Sequence, residues 1–145
     1  MKILYFAAFC ISALIFTGCT SYGKKYSPDN QHEVYYKGDG IDESNAKKLY
    51  DYLKDQKYFT DNHPATVQIV KTKDTFNLNF VYEKTMVDAE RESNFIVFGG
   101  QISRDVFNGG PVTINLCDKN MAVFKGLGYT KPAKDEPLPI HGDTQ

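Results

Sequence analysis

Residues 65–82 read ATVQIVKTKDTFNLNFVY. Two runs rich in β-branched and aromatic residues, Ala65 to Lys71 and Thr75 to Tyr82, flank Thr72-Lys73-Asp74, which is the spacing of a β-hairpin. Side chains alternate along a strand, so Phe76, Leu78, Phe80 and Tyr82 face one way and Thr75, Asn77, Asn79 and Val81 the other. The first set can only be core. The second carries amides and a hydroxyl.

Upstream, Glu33 to Lys37 alternates in the same manner, with Val34 and Tyr36 on one side, and ends at Gly38-Asp39-Gly40. Asp42 can cap a helix whose apolar positions Ala46, Leu49, Tyr50 and Leu53 follow the i, i+3, i+4, i+7 pattern, reaching about Lys57. Phe59 is expected beneath that helix, before Thr60-Asp61-Asn62-His63-Pro64 turns the chain. Downstream, Phe95, Phe98, Ile102 and Val106 recur at three to four residues and predict a second helix starting between 86 and 92. Its Gly99-Gly100 pair costs about 1 kcal/mol of helix propensity per glycine, which points to close packing or a kink. Asn108-Gly109-Gly110-Pro111 stops it, and Val112, Ile114 and Leu116 then alternate as a fourth strand. Ala122 to Lys125 leave room for a short edge segment.

The order is β-α-β-β-α-β. Two split β-α-β units of this kind form a four-stranded antiparallel sheet with both helices on one face, so the expected fold is α+β and ferredoxin-like. Pairing order itself is not visible in the alternation, and a related α+β sandwich with another strand order gives the same pattern. On the second face of the expected sheet lie Tyr35, Gln68, Asn77, Asn79, Thr113, Asn115 and Cys117, with Val70 and Val81 as apolar members. Uncharged donors and acceptors suit a peptide, a sugar or another polar surface, while an uncovered antiparallel face must be polar in any case.

At the amino terminus, Lys2 precedes an apolar run from Ile3 to Phe16 that Phe16-Thr17-Gly18-Cys19 closes. A run this short, followed by polar sequence, is a secretory signal and not a spanning helix. The tetrapeptide resembles the lipobox of bacterial lipoproteins. The resemblance implies that residues 1–18 are removed and that Cys19, diacylglyceryl-modified and acylated, becomes the first residue of a membrane-tethered protein. An ordinary secreted protein or an uncleaved anchor are the alternatives. Thr20 and Ser21, with no Asp after Cys19, resemble the pattern of lipoproteins sorted to the outer membrane of didermal bacteria, facing the periplasm.

Removing residues 1–18 from the 145-residue chain leaves 127, enough for one domain. Residues 19–32 are polar and contain Gly and Pro, and are expected to be a lipidated cysteine with a flexible tether; the folded part is expected over 33–125, and 126–145 as a mobile tail. The chain has net charge −1 with both signs interspersed and no long basic run to neutralise a phosphate backbone, so no nucleic-acid partner is expected. Once Cys10 leaves and Cys19 is lipidated, Cys117 is the remaining cysteine, which excludes an intramolecular disulfide. It reads as a small buried hydrophobe, since His32, His63 and His141 fall in expected loops or tails.

The search for chemistry is negative. RNA-recognition domains display aromatics on the open face of their third strand, whereas Phe76, Phe80 and Tyr82 fall on the helix side, and there is no Cys-x-x-Cys loop. Gly38-Asp39-Gly40-Ile41-Asp42-Glu43 has three carboxylates but lacks the alternating ligands of a calcium loop. Residues 101–118 resemble the closing helix and strand of small uncharacterised bacterial domains, a likeness that brings no activity. No metal, no cofactor and no enzymatic activity are expected. The expected role is a membrane-anchored envelope lipoprotein acting as an interaction or scaffold module toward an envelope protein or cell-wall component. The alternative is a domain binding a small polar ligand, a glycan or peptide, on the face formed by Tyr35, Gln68, Asn77, Asn79, Thr113 and Asn115.

Overall fold

The computed structural model describes residues 22–130. The expected leader, the lipidation site Cys19 and the tail past Thr130 lie outside the described residues. Six strands and two helices follow one another as β1 (Lys24–Tyr26), β2 (His32–Lys37), α1 (Glu43–Asp55), β3 (Ala65–Thr72), β4 (Thr75–Val81), α2 (Ala89–Asp105), β5 (Val112–Cys117) and β6 (Val123–Thr130), with one 3-10 turn at Lys84–Met86.

Both helices begin where acidic caps dictate. The Asp42 side chain accepts the Ser44 and Asn45 amides, and Asn45 Oδ1 accepts the Asp42 amide in return, satisfying donors that the first turn leaves free. Asp88 does the same for the Arg91 amide at 2.8 Å. The Gly99-Gly100 pair does not interrupt α2, which runs unbroken from Ala89 to Asp105. Its purpose is contact. A Cβ on Gly99 would lie 2.7 Å from Ile114 Cγ1 and 2.9 Å from Thr130 Cγ2, so glycine lets α2 settle directly on β5 and β6.

The ferredoxin-like expectation is overturned by the strand pairing. The sheet has six strands in sequence order, β1 to β6, and it is mixed: β2–β3 and β4–β5 are parallel, the other three pairs antiparallel. Each helix thus joins neighbouring strands, with no strand inserted between them. The physical reason lies at the two ends. Short connections fold β1 onto β2 and β6 onto β5 as hairpins, whose loop closure is cheap, and these partners occupy the edges that a four-stranded interleaved sheet would need. The α+β class stands. The folded chain also extends beyond 33–125 at both ends, because β1 lies in the expected tether and β6 runs on to Thr130.

Val34, Val67, Phe80 and Leu116 share one row across the sheet and Tyr36, Ile69, Leu78 and Ile114 the next, all buried under Ala46, Leu49, Leu53, Phe95 and Ile102 of the helices. Both helices therefore cover the same face. Strands β2 and β3 run one way and β4 and β5 the other, yet both connections step in the same direction across the sheet. The two crossovers are consequently of opposite hand, although such connections are right-handed in about 98% of cases. Aromatic rings fill the space between the helices and the sheet: Phe80 contacts Tyr58 and Phe95 with centroids 5.3 Å away in each case, and Tyr52 stacks on Phe98.

Candidate functional site

The face away from the helices brings the six polar residues singled out from the sequence onto one surface. Tyr35, Gln68, Asn79 and Asn115 form one row across β2, β3, β4 and β5, and Asn77 and Thr113 sit side by side in the next. Within the row the amides bond to each other. Asn115 Nδ2 donates to Asn79 Oδ1 at 2.9 Å, Asn79 Nδ2 donates to Gln68 Oε1 at 2.8 Å, and Gln68 Nε2 donates to the backbone carbonyl of Tyr22 at 2.8 Å. Every amide in this ladder donates toward the β1 edge. In the neighbouring row Thr113 Oγ1 donates to Asn77 Oδ1, and Asn77 Nδ2 donates to the Val70 carbonyl at 3.1 Å.

Half of this face is covered. Gln68 is 3% exposed and Asn79 9%. Over them lies Tyr22, whose ring meets Tyr35 edge-on with centroids 5.7 Å apart and whose hydroxyl donates to the Asn120 carbonyl at 3.4 Å. Gly23 makes the bend from β1 possible: its φ is +95°, and a Cβ there would collide with the Tyr36 carbonyl. Beside Tyr22 a shallow cleft of about 150 Å³ is lined by Glu33, Tyr35, Thr66, Lys119 and Met121. That is smaller than the roughly 300–1,000 Å³ of pockets that enclose drug-sized ligands.

The other half is open. Asn77, Thr113 and Asn115 are half-buried, and β6 beside them is the last strand of the sheet among the described residues. On β6, Val123 is 54% exposed and Tyr129 55%. They flank Gly126, which pairs with Asn115 and where a Cβ would lie 3.5 Å from Asn115 Oδ1. Two register shifts bulge β6 here, a common way of aiming side chains at a sheet edge. By contrast β1, the opposite edge, is three residues long and carries Lys24 and Lys25, which discourages strand addition.

Sequence reasoning missed a second cluster. His32 is fully buried, stacked on Phe59 with centroids 4.7 Å apart; Nδ1 meets the Asp29 carboxylate, and Nε2 faces the Thr60 and His63 carbonyls at 2.9 and 3.2 Å. Asp29 also accepts the Tyr50 hydroxyl at 2.7 Å and the Gln31 and His32 amides. Burial raises the Asp29 pKa, but those hydrogen bonds, led by the His32 amide and the Tyr50 hydroxyl, outweigh it and hold the carboxyl well below the ordinary range. The Tyr50 phenol is pushed up, by burial first and by Asp29 second. An Asp-His pair invites comparison with a catalytic dyad, yet both imidazole nitrogens are already occupied by protein acceptors and no face of the ring reaches solvent. This is a clamp that fastens the chain before β2 to α1 and to the 60–63 turn. The legible signal was Pro28-Asp29-Asn30, a turn in which the aspartate bonds to amides two and three residues on.

Cys117 is fully buried, and burial, with Asp118 nearby, pushes its thiol up to about 11, so it is protonated at neutral pH. Among the described residues no three His, Cys, Asp or Glu side chains gather to hold a metal ion. Among the same residues no helix is long and apolar enough to cross a membrane.

Residues 29–127 match the AF_1994_N family, described as a family N-terminal domain. The match spans more than half of the chain, and the chain belongs to this family. Neither a curated protein nor a solved structure matches it.

Proposed function

We propose that the chain is a lipid-anchored protein of a bacterial cell envelope, held by an acylated Cys19, whose domain is a non-enzymatic interaction module. The lipobox-like Phe16-Thr17-Gly18-Cys19 supports the anchor. The observation that carries the interaction reading is the β6 edge, unpaired among the described residues, with Val123 and Tyr129 both more than half exposed at its ends. A strand of a partner protein added to β6 would gain main-chain hydrogen bonds, and its side chains would cover Val123 and Tyr129 as cross-strand neighbours. Small-ligand binding on the amide face finds less support: Gln68 and Asn79 are engaged with each other and with Tyr22, and the adjoining cleft is small.

The test is photo-crosslinking in the native envelope, with probes replacing Val123 and Tyr129 and a control at Lys47 on the outer side of α1. A discrete protein adduct from the β6 positions, absent at Lys47, is the expected result. Adducts of equal yield at all three positions, or none, contradict the proposed edge.

A further inference from the structure

We infer that the amide face of the sheet lies against the bilayer to which the chain is anchored, with the helices pointing away; the inference rests on the proposed acylation of Cys19. Its basis is where the described chain begins. Tyr22 is held on the amide face by the Gln68 bond to its carbonyl, by the Tyr35 ring and by the Asn120 carbonyl, and Gly23 turns it there from β1. Only Thr20 and Ser21 separate it from Cys19. A fully extended chain spans at most about 3.6 Å per residue, so the Cys19 Cα lies within roughly 11 Å of the Tyr22 Cα. The outer surface of the helical layer is one packing distance of about 10 Å plus half of a helix diameter of about 10 Å above the sheet, roughly 15 Å in all and beyond the reach of that link. An acylated Cys19 must enter the headgroup layer, and of the two sheet faces only the one bearing Tyr22 comes close enough.

The partner is a phospholipid surface, and the contact is imposed by chain length more than by charge, since Lys25, Lys37 and Lys119 on that side are balanced in part by Glu33. The residues it screens are those around the cleft, Tyr35, Lys119 and Met121 among them. The β6 edge stays open sideways, so a strand that extends the sheet would run parallel to the membrane.

The experiment uses the full chain, matured in a bacterial host and reconstituted into vesicles of phosphatidylethanolamine and phosphatidylglycerol that carry a nitroxide on the headgroup. In a Cys117→Ala background, a fluorophore is attached at Lys119→Cys or, separately, at Lys48→Cys on the far side of α1; Lys25→Cys replaces Lys119→Cys should that variant fail to fold. Quenching at 119 is expected to be several-fold stronger than at 48, and inserting a Gly-Ser spacer between Ser21 and Tyr22 is expected to reduce it. Fatty-acid incorporation is measured on the same preparations, with Cys19→Ser as its control. Equal quenching at 119 and 48 in an acylated protein overturns the orientation and leaves the anchor standing. A chain that incorporates no fatty acid overturns both.

Discussion

The carbonyl of Tyr22 accepts a hydrogen bond from the side-chain amide of Gln68 at 2.8 Å, joining the segment before β1 to the middle of the sheet. The same Gln68 accepts from Asn79, so one residue ends the amide ladder and fastens the amino-terminal segment. Replacing it exposes what each role is worth. Gln68→Ala leaves the Asn79 amide without its acceptor in a site that is 9% exposed, an arrangement that costs about 1–3 kcal/mol. The midpoint of urea unfolding should fall accordingly, and amide hydrogen exchange over residues 22–26 should quicken more than exchange in α2.

At Gly99, two effects of opposite sign compete. Alanine gains up to about 1 kcal/mol of helix propensity, but its Cβ must displace Ile114 and Thr130, and overpacking of this kind costs about 1–3 kcal/mol. The neighbours are β5 and β6 side chains held in the sheet, so the steric effect wins. Gly99→Ala should lower the melting temperature, whereas Gly109→Ala meets no neighbour within 4 Å and is disfavoured through its φ of +81° alone.

Acid should reveal the Asp29 clamp. Its folded pKa lies below the ordinary 3.8, so the carboxylate contributes stability that is complete above that value and is lost as the pH falls through the folded pKa. Asp29→Asn should therefore be less stable than the wild type at pH 7, with the gap closing below pH 3.8. Urea denaturation of both proteins across that range checks this, and a gap that is independent of pH would show that the carboxylate charge is immaterial.

Cys117 should be silent in the native protein. With its thiol buried and pushed up to about 11, iodoacetamide at neutral pH should leave it unmodified by mass spectrometry until denaturant is added. Rapid stoichiometric alkylation of the folded chain would contradict the buried, protonated thiol.

What the sequence discloses and what it hides follow from the kind of signal each element leaves. Period-two alternation places Gln68, Asn79 and Asn115 on one face and Leu78 and Ile114 on the other, and the structure has them so, because facing is a property of each strand alone. The capping Asp42 likewise acts within one turn. Which strand lies beside which is a property of two distant segments, and the ferredoxin-like pairing failed there. The edge strands leave weaker signals, β6 showing only as a short segment over Ala122 to Lys125 and β1 not at all. At three residues β1 is too short to alternate visibly, and β6 is broken by Gly126, Gly128 and two bulges that erase its period. Tyr22 and His32 sit in a polar stretch that composition alone assigns to a tether, yet long-range bonds to Gln68, Thr60 and His63 hold both. The amides on the second face were legible as residues. Their bonding to one another, which withdraws Gln68 and Asn79 from solvent, depends on register and was not.

The account turns on the modification of Cys19, and the intact mass of the mature protein extracted from its native envelope tests it most directly. The expected species begins at Cys19 and carries a diacylglyceryl group and an amide-linked acyl chain. A mass corresponding to an unmodified chain, whether cleaved elsewhere or retaining Met1, would contradict the lipid anchor and with it the placement of the amide face on the membrane.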